Sequence, residues 1–154
     1  FFEGLAAVEL NDKWGFIDET GKEVIPLKYD FAVLFSEGLA YVKMNNKWGY
    51  IDKNGNTVVP IKYEYAGLFN KGYALVKLDG KFGYIDKKGI EVIPTKYDNF
   101  GTFFDGTSAE MIQNGRKLRV DKYGNETDIG AATNTNNPNV STYNTPASNM
   151  NPAR

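Results

Sequence analysis

The sequence predicts an all-β protein: tandem 34-residue, hairpin-based repeats forming an open twisted array, followed by an extended C-terminal tail. Three observations carry that expectation. Gly4, Gly38, Gly72 and Gly106 recur 34 residues apart, as do Phe1, Phe35, Phe69 and Phe103, and Pro26, Pro60 and Pro94. A fixed interval of this size marks a repeat architecture. Within each interval apolar residues alternate with a period of two, the pattern of a strand rather than a helix. Four two-residue breaks, Asn11-Asp12, Asn45-Asn46, Asp79-Gly80 and Asn114-Gly115, each separate two such runs. These residue types tolerate the positive φ that a type I′ hairpin turn requires at both central positions.

Composition narrows the function classes. The 154 residues carry a net charge of -1, with no basic run to attract nucleic acid or an anionic membrane. No apolar stretch approaches the roughly 20 residues of a bilayer-spanning helix. There is no Cys and no His, so a disulfide framework, a thiol site and zinc or haem ligation are not expected, and no cofactor is. Phe1 begins inside a repeat pattern without an initiator Met, so the chain reads as a mature product or a fragment, with any targeting segment out of view.

The first strand is expected over Leu5 to Leu10, with counterparts at Leu39 to Met44 and Tyr73 to Leu78. A two-residue turn then sets the register: Leu10 opposite Lys13, Val8 opposite Gly15 and Ala6 opposite Ile17 on one face. Glu9 opposite Trp14, Ala7 opposite Phe16 and Leu5 opposite Asp18 lie on the other. The first face is apolar in all three full repeats and reads as core. Gly15, Gly49 and Gly83 sit opposite a valine each time, which implies that another element comes close there. The other face mixes aromatics with Glu9, Lys43 and Lys77 and reads as amphipathic.

Each second turn opens with an acid and closes with glycine three residues later, from Asp18 to Gly21, Asp52 to Gly55, Asp86 to Gly89 and Asp121 to Gly124. The carboxylate accepts backbone hydrogen bonds and the glycine takes the left-handed position. A third strand follows over Glu23 to Pro26, Thr57 to Pro60 and Glu91 to Pro94. Proline cannot donate to the ladder, so this strand either ends there or lies on an edge. Leu27 to Asp30 and its equivalents then cross toward the next repeat or turn tightly about the tyrosine.

The fourth repeat keeps the frame with one residue inserted, pairing Met111 with Leu118 and Ala109 with Val120. It replaces the Trp, Gly and aromatic positions by Lys117, Leu118 and Arg119. A terminal repeat with no neighbour should be polar on its outer side, so this unit reads as a cap. The repeat domain is expected over residues 1–128. Residues 129–154, rich in Asn, Thr, Ser and Pro, form a tail with Val140, Tyr143 and Met150 as apolar anchors. Such a tail can add as an extended strand to an exposed sheet edge.

Lys13-Trp14-Gly15-Phe16-Ile17-Asp18 and Lys47-Trp48-Gly49-Tyr50-Ile51-Asp52, each followed by Gly, Val-Ile-Pro or Val-Val-Pro, and Lys-Tyr-acid, resemble the bacterial WG repeat family. The resemblance covers roughly residues 1–126. The third copy has Phe82 for Trp, and the fourth departs almost wholly. The resemblance implies a β-repeat module, often exported or surface-associated, and carries over no catalytic residues.

The candidate interaction surface is the aromatic set Trp14, Tyr41, Lys43, Trp48, Tyr50, Tyr73, Phe82 and Tyr84, with Lys43 placed to make a cation–π pair with Trp48. Packing between successive repeats explains the same residues. The repeated aspartates have turn roles, and paired catalytic carboxylates would need to lie roughly 5 to 9.5 Å apart rather than one repeat apart. No phosphate-binding glycine loop or nucleophile–base set is present. The function expected is a non-catalytic protein-binding or assembly module at the cell surface or envelope. A protein partner or neighbouring subunit would be engaged through the aromatic face, a sheet edge or the tail. A glycan-binding module or a polysaccharide-acting enzyme is the alternative, and no nucleic acid or membrane insertion is expected.

Overall fold

A computed structural model of the protein describes residues 1–132, and every regular element among them is a β-strand. The tail anchors Val140, Tyr143 and Met150 lie outside the described residues. β1 (Leu5–Leu10) and β2 (Lys13–Asp18) form a hairpin in the expected register, with Val8 opposite Gly15 and Ala7 opposite Phe16. The turn residues Asn11 and Asp12 have φ of 53° and 60°, the type I′ signature. At the second turn the Asp18 carboxylate accepts from the backbone N–H of Thr20 at 2.9 Å and of Lys22 at 3.1 Å, and Gly21 has φ of 83°.

β3 (Glu23–Tyr29) pairs antiparallel with β2 and occupies an edge of the first sheet, whose order is β1-β2-β3. It runs through Pro26 instead of ending there. Trp14 pairs with Tyr29 and Phe16 with Ile25, so extra residues of β3, Pro26 among them, bulge opposite Gly15. A bulge on an edge strand is where a proline is tolerated. It also explains the glycine: a Cβ on Gly15 would lie 2.5 Å from the Ile25 carbonyl oxygen and 2.8 Å from the Leu27 nitrogen. The element that comes close is the third strand of the same repeat.

The chain then crosses to the next repeat, as one of the two sequence readings has it. β4 (Phe31–Ala32) leaves the first sheet and pairs with β5 (Leu39–Met44), which continues through β6 (Lys47–Asp52) and β7 (Thr57–Tyr63). The same plan gives a third sheet from β8 (Tyr65–Ala66), β9 (Tyr73–Leu78), β10 (Lys81–Asp86) and β11 (Glu91–Tyr97). A fourth follows from β12 (Asn99–Phe100), β13 (Ser108–Gln113), β14 (Arg116–Asp121) and β15 (Glu126–Ala131). All four sheets are open, none closing on itself.

Three apolar cores lie between successive sheets, one per junction. In the first, Phe16, Ile25 and Tyr29 of the first sheet pack on Ala40, Val42 and Ile51 of the second, with Phe35 from the connection. The second joins Tyr50, Val59 and Tyr63 to Ala74, Val76 and Ile85, and the third joins Tyr84, Ile93 and Tyr97 to Ala109, Met111 and Val120. Both faces of a middle hairpin are therefore core, which corrects the expectation of one buried and one amphipathic face. Alternation alone cannot separate the two cases, because aromatic side chains stand on one face and small aliphatic ones on the other, and both can line a stacked-sheet interior.

A second correction concerns the 34-residue frame. The inserted residue lies in the connection before β13, so Phe104, 4% exposed, takes the buried place that Phe35 and Phe69 hold. Phe103, the residue at the exact interval, is 68% exposed. In the fourth sheet Lys117 and Arg119 face Glu110, at 3.5 and 3.7 Å, on the side where earlier repeats carry aromatics.

Candidate functional site

The aromatic positions are held by the hairpins and by the connection that follows each one. Their rings make a continuous chain across the first three sheets. Trp14 and Phe31 have centroids 5.0 Å apart, Phe31 and Trp48 6.0 Å, Trp48 and Tyr41 5.3 Å, Tyr41 and Tyr50 6.2 Å, and Tyr50 and Phe69 4.8 Å. Tilted and edge-on pairs at these separations are favourable beyond the area they bury. Lys43 Nζ lies 5.6 Å from the Trp48 ring, the cation–π pair expected from the register, and Lys77 repeats it over Phe82 at 5.2 Å.

The eight candidate residues do not share one surface. Tyr50 and Tyr84 are 0% and 2% exposed and belong to the cores between sheets, so no solvent-facing row of Tyr41, Tyr50 and Tyr84 exists. The Tyr50 hydroxyl donates to the Gly67 carbonyl at 2.7 Å. Among the described residues the equivalent Tyr84 hydroxyl makes no well-formed hydrogen bond; burial pushes its pKa up to about 12, and the nearby Phe104 backbone offsets part of that rise. Trp14, Trp48 and Phe82 are half-buried at the margins of the cores.

Two hollows use the rest. A groove of about 510 Å³ is lined by Tyr41 of the second sheet, by Tyr65, Leu68, Phe69 and Tyr73 of the third repeat and by Phe103 of the fourth, with Tyr84 also on its lining. Tyr65, Leu68 and Phe103 are 46%, 43% and 68% exposed, an unusual grouping of large apolar side chains in water. A shallower hollow of about 390 Å³ is lined by Asp30, Phe31, Lys43, Asn46 and Trp48. Sequence reasoning missed Phe31, Tyr65, Leu68 and Phe103 because they lie in the connections rather than in the hairpins. Phe31 and Tyr65 stand one 34-residue interval apart, which was the available signal.

Two of the polar side chains around the groove are engaged. Ser36 Oγ donates to the Phe69 carbonyl at 2.9 Å, while the Glu37 carboxylate accepts from the Gly72 N–H at 2.8 Å and pairs with Lys87 at 3.4 Å. The repeated acids serve the fold in the same way. Asp30 accepts from Lys13 at 2.7 Å and from the Asn45 N–H at 2.8 Å, tying one repeat to the turn of the next, and these bonds hold its pKa below the ordinary value. Asp18, Asp52 and Asp121 are lowered chiefly by side-chain bonds from Thr20, Asn56 and Asn125 within their turns. Among the described residues no group of three His, Cys, Asp or Glu side chains is placed to hold a metal.

Stacked open sheets with inward-packed aromatics define a tandem β-repeat protein. The model of the family described as WG containing repeat matches residues 1–14, 14–48, 48–82 and 82–115, and the chain belongs to that family. A search of curated proteins finds none that matches the chain.

Proposed function

We propose that the protein is a non-catalytic scaffold that binds a protein partner through the groove lined by Tyr41, Tyr65, Leu68, Tyr73 and Phe103. The observation that carries this reading is the set of exposed Tyr65, Leu68 and Phe103 side chains around a hollow of about 510 Å³. Aromatic and aliphatic walls of this kind accept the apolar side chains of an extended segment. Ser36 and Glu37 are committed to Phe69, Gly72 and Lys87, which leaves the tyrosine hydroxyls of the lining as the groups a sugar would have to use. The exposed Leu68 and Phe103 side chains favour protein over glycan. Of the aromatic residues singled out in the sequence, Tyr41 and Tyr73 contribute here, and Lys43 with Trp48 forms the second, smaller contact surface. The tail from residue 129 is a further contact element in this reading, and the family supports a place at the bacterial surface or envelope.

The test is a displayed library of random peptides selected on the immobilised full chain, with affinities of enriched peptides measured in solution. Enrichment of peptides with paired apolar residues, lost in Tyr65→Ala with Leu68→Ala, supports the reading. Absence of enrichment, or binding to a glycan array that the same double variant abolishes, overturns it.

A further inference from the structure

The connections that build the groove also carry a charge pattern, and it changes at one junction. Glu3 accepts from the Gly38 N–H at 3.0 Å and pairs with Lys53 at 3.4 Å. Glu37, which lines the groove, accepts from the Gly72 N–H at 2.8 Å and pairs with Lys87 at 3.4 Å. At the first two junctions a carboxylate of one repeat therefore meets a lysine of the next.

At the third junction a lysine replaces the acid. Lys71 stands one 34-residue interval after Glu37 and has nearly the same backbone angle, φ of 53° against 52°. Lys122 follows Asp121 as Lys53 follows Asp52 and Lys87 follows Asp86. The Lys122 N–H donates to the Thr107 carbonyl at 3.0 Å, which keeps this residue beside the connection of the fourth repeat. With the inserted residue counted, the Thr107 N–H takes the place of the Gly72 N–H, and it donates to the Asp105 carboxylate at 2.7 Å. Asp105 is spent on its own turn, since the same oxygen also accepts from the Thr107 hydroxyl at 2.6 Å and the Ser108 N–H at 2.9 Å. Among the described residues neither Lys71 nor Lys122 is in an ion pair, and both are exposed.

We infer that the segment the groove binds is acidic: its apolar side chains seat among Tyr65, Leu68 and Phe103, and an Asp or Glu beside them reaches Lys71 and Lys122. This rests on the reading of the groove as a protein-binding site. Lys71 directly follows Asn70 of the lining, so the cation stands at the margin of the hollow. Two lysines at a place built elsewhere as an ion pair attract a carboxylate, and such complementarity selects among apolar partners. Glu37 does not oppose an acidic segment strongly, because Lys87 offsets its charge. The tail of this chain is not that segment, since residues 129–154 contain no Asp or Glu.

The experiment selects a displayed library of random peptides on the immobilised full chain and, in parallel, on Lys71→Glu, which places at 71 the residue already accommodated at 37. Peptides from the parent are expected to carry Asp or Glu beside an apolar pair, and those from Lys71→Glu to keep the pair without the acid. For one parent-selected peptide, replacing its acid by the amide is expected to weaken binding to the parent about threefold, and to bring no loss with Lys71→Glu. Lys71→Gln, which removes the charge without reversing it, is expected to weaken the acidic peptide about threefold and leave the amide form unaffected. Acid-free peptides that are lost with Tyr65→Ala and Leu68→Ala but indifferent to Lys71→Glu overturn the acidic partner and leave the groove reading standing. Acidic peptides indifferent to that double variant overturn both, since the lysines would then bind alone, and absence of enrichment also overturns both. A truncation after Asp128 that raises peptide affinity would make the tail the occupant of the groove and overturn the proposal.

Discussion

The hydroxyl of Tyr50 donates to the carbonyl of Gly67 at 2.7 Å, tying the second sheet to the connection that runs on into the third. One repeat on, the hydroxyl of Tyr84 is nearly as buried, and among the described residues it makes no such bond. Tyr50→Phe leaves a carbonyl without its donor and is expected to cost about 1 to 3 kcal/mol. Tyr84→Phe removes an unsatisfied group and is expected to be neutral or stabilising. Urea denaturation of the two variants checks the contrast.

Gly49 supplies the second expectation. A Cβ there would lie 2.7 Å from the Ile61 Cα and 2.7 Å from the Val59 carbonyl oxygen, backbone that cannot swing away. Gly49→Val is expected to destabilise by about 1 to 3 kcal/mol or more, since overpacking moves the third strand off the hairpin. Trp48→Phe, a change already present at Phe82, is expected to cost less than about 1.5 kcal/mol. Equal melting temperatures for Gly49→Val and the parent would show that β7 does not pass over that glycine.

Much of this was legible before the structure. The type I′ turns, the hairpin registers and the acid-to-glycine turns follow from local residue chemistry, which recurs at Asn11-Asp12 and Asn45-Asn46 and so leaves little to tertiary context. The covering of both faces was not legible, because Phe16 and Tyr50 satisfy the same alternation whether a sheet or water lies beyond them. Nor was the groove, since Tyr65, Leu68 and Phe103 lie in connections whose path depends on how sheets stack. Phe103 shows the limit of the interval itself: one inserted residue hands its buried role to Phe104.

The acids set the behaviour at low pH. Bonds from the Thr107 hydroxyl and then the Ser108 and Thr107 backbone N–H groups hold Asp105 down at about 2, against an ordinary 3.8. A carboxylate depressed on folding contributes stability that is present above its unfolded pKa and is lost as pH falls through the folded one. Stability is therefore expected to be level above about pH 4 and to decline toward about pH 2. Asp105→Ala is expected to flatten that decline while lowering stability at neutral pH. Thermal melts across this range check both parts. At the other end, Tyr84 is raised to about 12 from 10.0 by burial, so its contribution is present below pH 10.0 and lost as pH rises toward about 12.

Protein binding by the groove is tested most directly by the affinity of a library-selected peptide for the full chain and for Tyr65→Ala. Tyr65 is 46% exposed, so its truncation leaves the cores intact and the melting temperature close to that of the parent. Loss of a central aromatic contact is worth about 2 kcal/mol or more in a binding interface. The expected result is a dissociation constant raised at least about tenfold by Tyr65→Ala and unchanged by Phe31→Ala in the smaller hollow. Equal affinity for the parent and Tyr65→Ala would contradict the assignment of the groove as the binding site.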